Sequence, residues 1–463
     1  MKIEKPLEGY FHVDEIEKST TPGKLEFSVK SGIKLNLMGA FRRDDYDRSN
    51  EKRWDVIHGY SMNGEFITLI NSRGYENERL PGIPSSRYQA ESMLLGAKYF
   101  DPQGLTIKKI SFRVSNLDLW LNRSGLKYET SREVHGTFTA SYEHPGFIKL
   151  HANDRFELGV WHSTSIPMFR SDNVLGDISE KAYLNLKYEG LATLKEAMND
   201  ILMIRDFMSL AMATPIVVED AVLYLDGSKE DHTRRFDLYF PLGNDYPVRK
   251  ETERRYMIYP FDDIEPFIDT ALAAWVELYP RIKHGISFYH EAYFSTTRHA
   301  YQKFLDYTFS YESIHRALNS ITIYPEAEFD DLRAGVLQQA DVPYRGFLDG
   351  VLRFANEASL RQRLKRSFAA FGLNELVGRV AKSDIDKLVE TRNSMVHTTT
   401  YNTEGTIQED EILDYNTLVR LLIVAELFSA IGALKSDPLE RLRRHTSFNF
   451  MLETKVRSAT AAV

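Results

Sequence analysis

An arginine, an asparagine and a histidine lie close together late in the chain, in the segment Arg392-Asn393-Ser394-Met395-Val396-His397. A guanidinium is always charged and presents a planar fork of donors that suits phosphate oxygens. An imidazole exchanges protons near neutral pH. The two groups together can bind a phosphodiester and move protons on it. Arg392, Asn393 and His397 are therefore the candidate catalytic residues, although this spacing also arises often by chance.

The geometry of a helix limits how these residues can cooperate. Asn393 and His397 are four apart and share a face, whereas Arg392 lies about 140° from His397 on an ideal helix. A site that uses both needs the helix to end near His397, or a second copy of the helix opposite. The alternative is structural, with Arg392 in a surface salt bridge and His397 interacting with the helix C-terminus.

The region around the motif is predicted to be wholly helical, from residue 291 to residue 463. Apolar residues recur at helical spacing in several segments, and Ser383 is a plausible N-cap for the motif helix. The polar loop TTTYNTEGTIQED separates the motif helix from the long helix that follows, and this pattern indicates an antiparallel bundle. The predicted helices cover about 300–318, 344–355, 360–371, 383–397 and 414–434.

The rest of the chain divides into a β-rich part, residues 1–165, and a mixed α/β part, residues 166–290. Period-two alternation such as Ile33, Leu35 and Leu37 predicts the short strands of a sandwich or barrel. The mixed part predicts a helix over 191–213, strands in AVLYL and RFDLYF, and a second helix from about 263 that stops at Pro280. The charged segment 42–53 is expected to be a loop. The fold class is thus α+β and multidomain.

Composition excludes several kinds of protein. The 463 residues contain no cysteine, which excludes disulfides, thiolate zinc sites and a cysteine nucleophile. The net charge of −8 gives no global basic field for nucleic acid, so any RNA contact must be local. The N-terminus has no apolar core of a secretory signal, and Arg420 and Glu426 interrupt the most apolar stretch. A cytoplasmic protein without a membrane segment is expected.

The helical region resembles the HEPN domains of prokaryotic defence systems and toxins. Their signature is an arginine, a polar residue, a few further residues and a histidine near a helix end, and Arg392, Asn393 and His397 occupy these positions. The run FLDYTFSYESIHRAL resembles an earlier helix of that bundle. The β-rich half with its run ISFRVSNLDLWL, followed by this domain, is most similar to the ApeA family of anti-phage proteins. That likeness spans nearly the whole chain.

The resemblance implies a metal-independent endoribonuclease with a site shared between two copies of the domain. The RNA 2′-hydroxyl would attack its own phosphodiester while His397 moves the proton. Arg392 would stabilise the developing charge, and Asn393 would position the phosphate or His397. It further implies a homodimer or higher homo-oligomer, an RNA substrate with tRNA as one candidate, abortive infection as the outcome, and N-terminal sensing of a phage-derived trigger or inhibitor.

Basic residues near the motif are candidates for holding RNA. Arg361, Arg363, Lys365 and Arg366 cluster in RQRLKR, and Arg316 lies on the earlier helix with Glu312 and His315. Glu312, His315 and Arg316 either face the motif or belong to a surface ion network. The alternative for the basic run is that it forms a solvated helix face. No cofactor or metal is expected, because His284, His290 and His299 lack metal-ligand spacing.

A second function stays open at this point. HEPN domains also serve as non-catalytic scaffolds, so the chain could be a binding module in a defence or toxin–antitoxin complex. The acidic net charge is compatible with this role. Growth arrest on expression would distinguish a nuclease from a scaffold.

Overall fold

The chain forms two compact units, Met1–Ala273 and Ala274–Val463. They are seen in a computed structural model. The residues that it describes are 6–13, 20–28, 31–41, 51–77, 85–96, 104–131, 137–165, 179–226, 235–241, 253–373, 381–397, 405–433 and 440–449. None of the helices within these ranges is long and apolar enough to cross a membrane.

Among the described residues, the first unit contains one antiparallel sheet of twelve strands and a separate pair of strands. The strands are β1 (Leu7–His12), β2 (Thr21–Ser28), β3 (Gly32–Leu37), β4 (Glu51–Ser61), β5 (Phe66–Asn77), β6 (Ser85–Leu95), β7 (Ile107–Val114), β8 (Leu126–Ser131), β9 (Thr137–Tyr142), β10 (Ile148–Ala152), β11 (Phe156–Ser165), β12 (Ser179–Ala192), β13 (Val218–Leu225) and β14 (Arg235–Tyr239). The order across the sheet is β10-β11-β12-β7-β13-β14-β6-β3-β2-β1-β4-β5.

The sheet closes on itself at one end, because β5 also pairs with β6. Six strands, β6-β3-β2-β1-β4-β5, therefore form a ring without a free edge. Side chains alternate along β6, with Ser86, Tyr88 and Ala90 buried and Arg87 and Gln89 exposed. This is the period-two pattern of a sheet with one face in the core, and it confirms the β-rich character predicted for this region.

The mixed region does not form a compact unit of its own. AVLYL and RFDLYF are strands as predicted, but β13 pairs with β7 and β14 pairs with β6. Strands from both sides of residue 165 thus share one sheet, so the structural division differs from the predicted boundaries at 165 and 290. The expected loop over 42–53 is wrong for 51–53, which open β4; residues 42–50 lie outside the described residues.

The helices of the first unit are α1 (Leu117–Leu121), α2 (Leu194–Met212) and α3 (Phe261–Ile264), with 3₁₀ turns at Arg254–Tyr256 and Glu265–Phe267. Thr193 and Glu196 form a reciprocal capping box that begins α2. Ala213 ends it in the left-handed conformation with φ 51°. The helix predicted over 191–213 is confirmed, and the two caps make the observed helix slightly shorter at both ends.

The predicted helix stop at Pro280 is wrong. Helix α4 runs from Ile268 to Phe294 with Pro280 inside it. Proline removes one helical hydrogen bond, but buried residues on the same stripe, Ile282, Ile286 and Tyr289, continue beyond it. Burying that apolar stripe outweighs the cost of the proline.

The second unit is a helical bundle, as predicted. It contains the greater part of α4 together with α5 (Ala300–Leu318), α6 (Glu326–Gln339), α7 (Val342–Leu352), α8 (Leu360–Ala370), α9 (Ala381–His397), α10 (Ile412–Ala430) and α11 (Glu440–Arg444). Ser383 lies inside α9 and is not its N-cap. Helix α6 was not predicted, because Phe329 is its only buried residue and it has no apolar stripe.

Two tryptophans of the first unit provide a matched test of its core. Trp120 is fully buried and donates from Nε1 to the carbonyl of Tyr259 at 2.8 Å, whereas Trp161 is 47% exposed. Trp120→Ala should lower the free energy of unfolding by about 3–5 kcal/mol, because it leaves a cavity and an unpaired carbonyl. Trp161→Ala should cost less than about 1 kcal/mol. Urea unfolding followed by circular dichroism measures both, and equal losses would contradict this account of the core.

Candidate functional site

Helix α9, which carries the motif, is held from one side by apolar packing and by a buried hydrogen bond. Ile385, Leu388 and Val389 are all buried on that side. Tyr415 of α10 donates from its hydroxyl to Asp384 Oδ1 at 2.7 Å, and both residues are buried. Because the first turn is anchored in this way, the opposite side and the far end of α9 are left to present functional groups.

The far end of α9 is tied to the chain that returns after the motif. Thr391 donates from Oγ1 to the carbonyl of Lys387 at 2.7 Å, and the same Oγ1 accepts the backbone N–H of Ile407 at 2.8 Å. Lys387 Nζ lies 2.7 Å from Glu411 Oε1. These contacts hold the helix within about three turns of His397.

The three motif side chains meet at one point. Arg392 Nη1 lies 3.0 Å from His397 Nε2 and donates to Asn393 Oδ1 at 3.1 Å. His397 is the last residue of α9 and is exposed, whereas Arg392 and Asn393 are partly buried. The position of His397 meets the condition stated from the sequence, that the helix ends near this residue.

Glu312 of α5 holds the arginine from the other side. Its carboxylate makes a two-point ion pair, with Oε1 3.2 Å from Arg392 Nε and Oε2 3.4 Å from Nη2. The two side chains are only 20% and 18% exposed, so solvent screens the pair less than a surface salt bridge. Of the two alternatives left open for Glu312, the structure shows that it faces the motif. Its carboxylate directs the remaining guanidinium nitrogen, Nη1, at His397.

The contact between Arg392 and His397 fixes the direction of one hydrogen bond. A guanidinium only donates, so in this contact Arg392 Nη1 is the donor and His397 Nε2 is the acceptor. The arrangement thus places a proton acceptor beside a cation that can bind a phosphate oxygen, which is what general base catalysis on a phosphodiester requires.

A cleft of about 590 Å³ adjoins this cluster and includes Glu312 in its wall. The rings of Phe288 and Phe309 lie 5.9 Å apart, centroid to centroid, and Phe288 is 40% exposed. The other lining residues are Arg281, Ser313, Arg316 and Ala317. An exposed ring in a cleft that two arginines also line is a surface on which a base can stack while its phosphates are held.

The predicted RNA-binding residues have different environments. Arg361 forms ion pairs with Asp386 and with Glu390, and Lys365 and Arg366 are exposed. Arg363 is only 2% exposed and donates from Nε to the carbonyl of Ala358 at 3.0 Å.

The structure therefore does not bring Arg363 to a surface that RNA could reach, because the bundle uses its guanidinium internally. Arg316 is different, since it lines the cleft while pairing with Glu357 at 3.2 Å.

A buried polar network lies behind the site and contains His315, the third residue expected near the motif. His315 Nδ1 lies 3.4 Å from Arg363 Nη1, and its Nε2 lies 3.7 Å from Glu426 Oε1. Ser367 donates to the same Glu426 oxygen at 2.6 Å and lies 2.7 Å from the hydroxyl of Tyr311. The network joins α5, α8 and α10, so His315 stabilises the bundle and does not face the motif.

Burial and the adjacent Arg363 lower the pKa of His315 to about 4, while burial raises the pKa of Glu426. His315 is therefore neutral in the core at physiological pH. Within the part of the chain that the structure describes, no three histidine, aspartate or glutamate side chains are grouped as metal ligands would be.

Comparisons with known families agree with the two-unit division. A family model described as ApeA N-terminal domain 1 matches residues 6–275, which is more than half of the chain. A second model, described as Apea-like HEPN, matches residues 305–437, which include most of α5, the whole of α9 and the motif. Searches of curated proteins and of solved structures found no match.

The buried His315 predicts how stability depends on pH. Its folded-state pKa of about 4 lies below the ordinary histidine value of 6.5, so between these values the unfolded chain binds a proton that the folded chain does not. The contribution is fully present above pH 6.5 and is lost as the pH falls towards 4, on the order of 3 kcal/mol in all. His315→Gln should remove this part of the acid sensitivity.

The free energy of unfolding of wild type and of His315→Gln is measured by urea unfolding between pH 7 and pH 4.5. The difference between the two pH profiles gives the contribution of His315 without that of Glu426. His284→Gln, at an exposed histidine of the same unit, is the control. Parallel pH profiles for wild type and His315→Gln would contradict the assignment.

Proposed function

This chain belongs to the ApeA family, and we propose that it is an anti-phage defence endoribonuclease whose HEPN domain cleaves RNA at Arg392, Asn393 and His397. The observation that carries the proposal is the contact of Arg392 Nη1 with His397 Nε2 at 3.0 Å, backed by Glu312. A surface ion pair of purely structural use would not need to direct the guanidinium at an exposed histidine.

The reaction is an internal displacement that needs no water in its first step. The 2′-oxygen of RNA attacks the adjacent phosphorus, and the bond from phosphorus to the 5′-oxygen of the next nucleotide breaks. His397 Nε2 takes the proton of the 2′-hydroxyl as general base. Arg392 leaves Nε2 and binds the non-bridging oxygens, whose negative charge grows in the transition state. The products carry a 2′,3′-cyclic phosphate and a 5′-hydroxyl.

Asn393 is assigned a positioning role. Its Oδ1 accepts from Arg392 Nη1 at 3.1 Å, which together with Glu312 leaves the guanidinium little freedom. Holding the donor fork in place before substrate binds lowers the cost of orienting it during the reaction.

RNA is the substrate that the adjoining cleft fits best. A base stacked on Phe288 would place its backbone near Arg281 and Arg316. Exposed Lys365 and Arg366 on α8 are further candidates for phosphate contacts. A folded RNA such as tRNA is one candidate substrate.

A second copy of the domain completes the site in this proposal. In-line displacement needs a proton removed at the 2′-oxygen and another delivered to the 5′-oxygen on the far side of the phosphorus, and one domain supplies a single motif histidine. His397 and the neighbouring Val396 are both exposed at the end of α9, so a second copy can approach there. The homodimer would bring two such histidines to one phosphodiester.

The N-terminal unit is assigned the control of the nuclease. A ribonuclease active at all times would arrest its own host, so its activity must await a phage-derived trigger or the loss of an inhibitor. Abortive infection, in which the infected cell stops growing before phage are released, is the expected outcome.

His397→Ala and Arg392→Ala should each reduce RNA cleavage by at least about 100-fold, since they remove the proton acceptor and the charge stabiliser. Purified proteins are incubated with total bacterial RNA in EDTA, and the cut ends are mapped for cyclic phosphate. His284→Ala, at an exposed histidine of the same unit, should cleave like wild type. Cleavage by His397→Ala at the wild-type rate would show that the site lies elsewhere.

If wild type alone is inactive, the assay is repeated with lysate from phage-infected cells. Activity that appears only then supports a triggered nuclease. Inactivity in both conditions, with no growth arrest on expression, would favour the non-catalytic scaffold or binding module.

Glu312→Gln tests the positioning of Arg392. The amide keeps the size of the side chain but loses the charge that holds the guanidinium, so kcat should fall about tenfold while KM for RNA changes little. Asp349→Asn, which breaks the ion pair with Arg333 in the same unit, is the matched control and should leave both constants unchanged. A Glu312→Gln enzyme with wild-type kcat would remove Glu312 from the machinery.

A further inference from the structure

A second concave site lies in the first unit, on the outer face of the closed ring of strands. The cleft has a volume of about 690 Å³, within the range of pockets that bind small molecules. Its charged lining consists of Lys34, Arg73 and Arg87 with Glu51 and Glu91. Its other side chains include Asn36, Asn71, Tyr75, Gln89 and Pro241.

The strand register places the cations next to one another. Gln89 of β6 lies opposite Lys34 of β3 on one side and opposite Arg73 of β5 on the other. In the neighbouring row, Arg87 of β6 lies opposite Tyr75 of β5. Adjacent strands are about 4.8 Å apart, so the three cations span about 10 Å of sheet surface.

These cations have no acidic partner among the residues that the structure describes. Within the described residues, no carboxylate lies within ion-pair distance of Lys34, Arg73 or Arg87. Glu26 is opposite Lys34 in the register but pairs with Lys24 at 3.3 Å.

The two acidic residues of the cleft have other partners. Glu51 pairs with Arg53 at 3.7 Å, and Glu91 accepts from Asn71 Nδ2 at 2.7 Å.

The register also holds two like charges together. Arg53 of β4 is directly opposite Arg73 of β5, an arrangement that destabilises a sheet. A bound anion would relieve this repulsion. Because Arg53 also pairs with Glu51, the repulsion is a secondary argument. The main argument for a negatively charged ligand is that the cations of the cleft have no carboxylate partner among the described residues.

Tyr75 adds a second kind of recognition. It is 59% exposed, and an exposed tyrosine ring offers a flat apolar face for stacking beside the cationic row. Glu51 and Glu91 would repel a phosphate, but they can accept hydrogen bonds from ribose hydroxyls or from the amino group of a base. A planar ring, hydroxyls and several negative charges together describe a nucleotide.

We propose that the cleft lined by Lys34, Arg73, Tyr75 and Arg87 binds a free nucleoside polyphosphate. Three cations over about 10 Å suit a di- or triphosphate better than a single phosphate, and the cleft volume suits one nucleotide better than a strand. The inference is independent of the ribonuclease site, because it rests on residues of the first unit alone.

Fluorescence titration of the full-length protein with N-methylanthraniloyl-ATP and N-methylanthraniloyl-GTP tests the proposal. Arg73→Glu/Arg87→Glu should weaken binding at least tenfold, because two phosphate contacts become repulsive. Lys181→Glu/Lys187→Glu makes the same change of charge at exposed positions of β12 and should leave binding unchanged. Circular dichroism confirms that each variant is folded.

Tyr75→Ala separates ring recognition from charge. It should weaken binding of the nucleotide analogues severalfold while inorganic tripolyphosphate, measured as a competitor, binds as before. No binding of either analogue at millimolar concentration, or equal binding by wild type and Arg73→Glu/Arg87→Glu, would overturn the proposal. Binding of a labelled single-stranded oligouridylate through the same arginines, without binding of the analogues, would also overturn it and identify a nucleic-acid surface.

Discussion

The ion pair between Glu312 and Arg392 is the interaction on which the candidate active site depends. An arginine side chain near the end of a helix has many rotamers, and ordering it costs conformational entropy. Glu312 on α5 meets two of its nitrogens at 3.2 and 3.4 Å and leaves the third directed at His397. The direction of the Arg392 guanidinium therefore depends on α5 and α9 being held at a fixed separation.

That separation is maintained by polar groups in the core of the bundle as well as by apolar packing. Tyr311, Ser367, Glu426 and His315 link three helices through side-chain contacts. Buried polar groups of this kind stabilise a fold only when each has a partner, so they impose a specific packing. The guanidinium of Arg363 contacts His315 in this buried network, which explains why Arg363 is not available at the surface.

Arg420 is another charged residue that is buried with partners inside the bundle. It interrupts the most apolar stretch of the chain, and the structure buries it with its guanidinium 4.3 Å from the ring centroid of Tyr293 and 4.5 Å from that of Phe448. Cation–π contacts compensate for part of the lost hydration. In the first unit the outer face of the sheet does the reverse, since Arg73 and Arg87 are exposed in a cleft and have no acidic partner among the described residues.

Local patterns determined much of this protein. Apolar periodicity predicted α5 at its observed bounds and identified the β-rich and helical regions. Three motif residues and a family resemblance indicated the candidate site. Other features depended on contacts distant in sequence. Pro280 does not end its helix, because burial of the α4 residues before and after it outweighs one lost hydrogen bond. Arg392 pairs with a carboxylate that lies 80 residues away in the sequence. The cationic cleft joins three strands by register, and such pairing is decided by tertiary packing and not by local propensity.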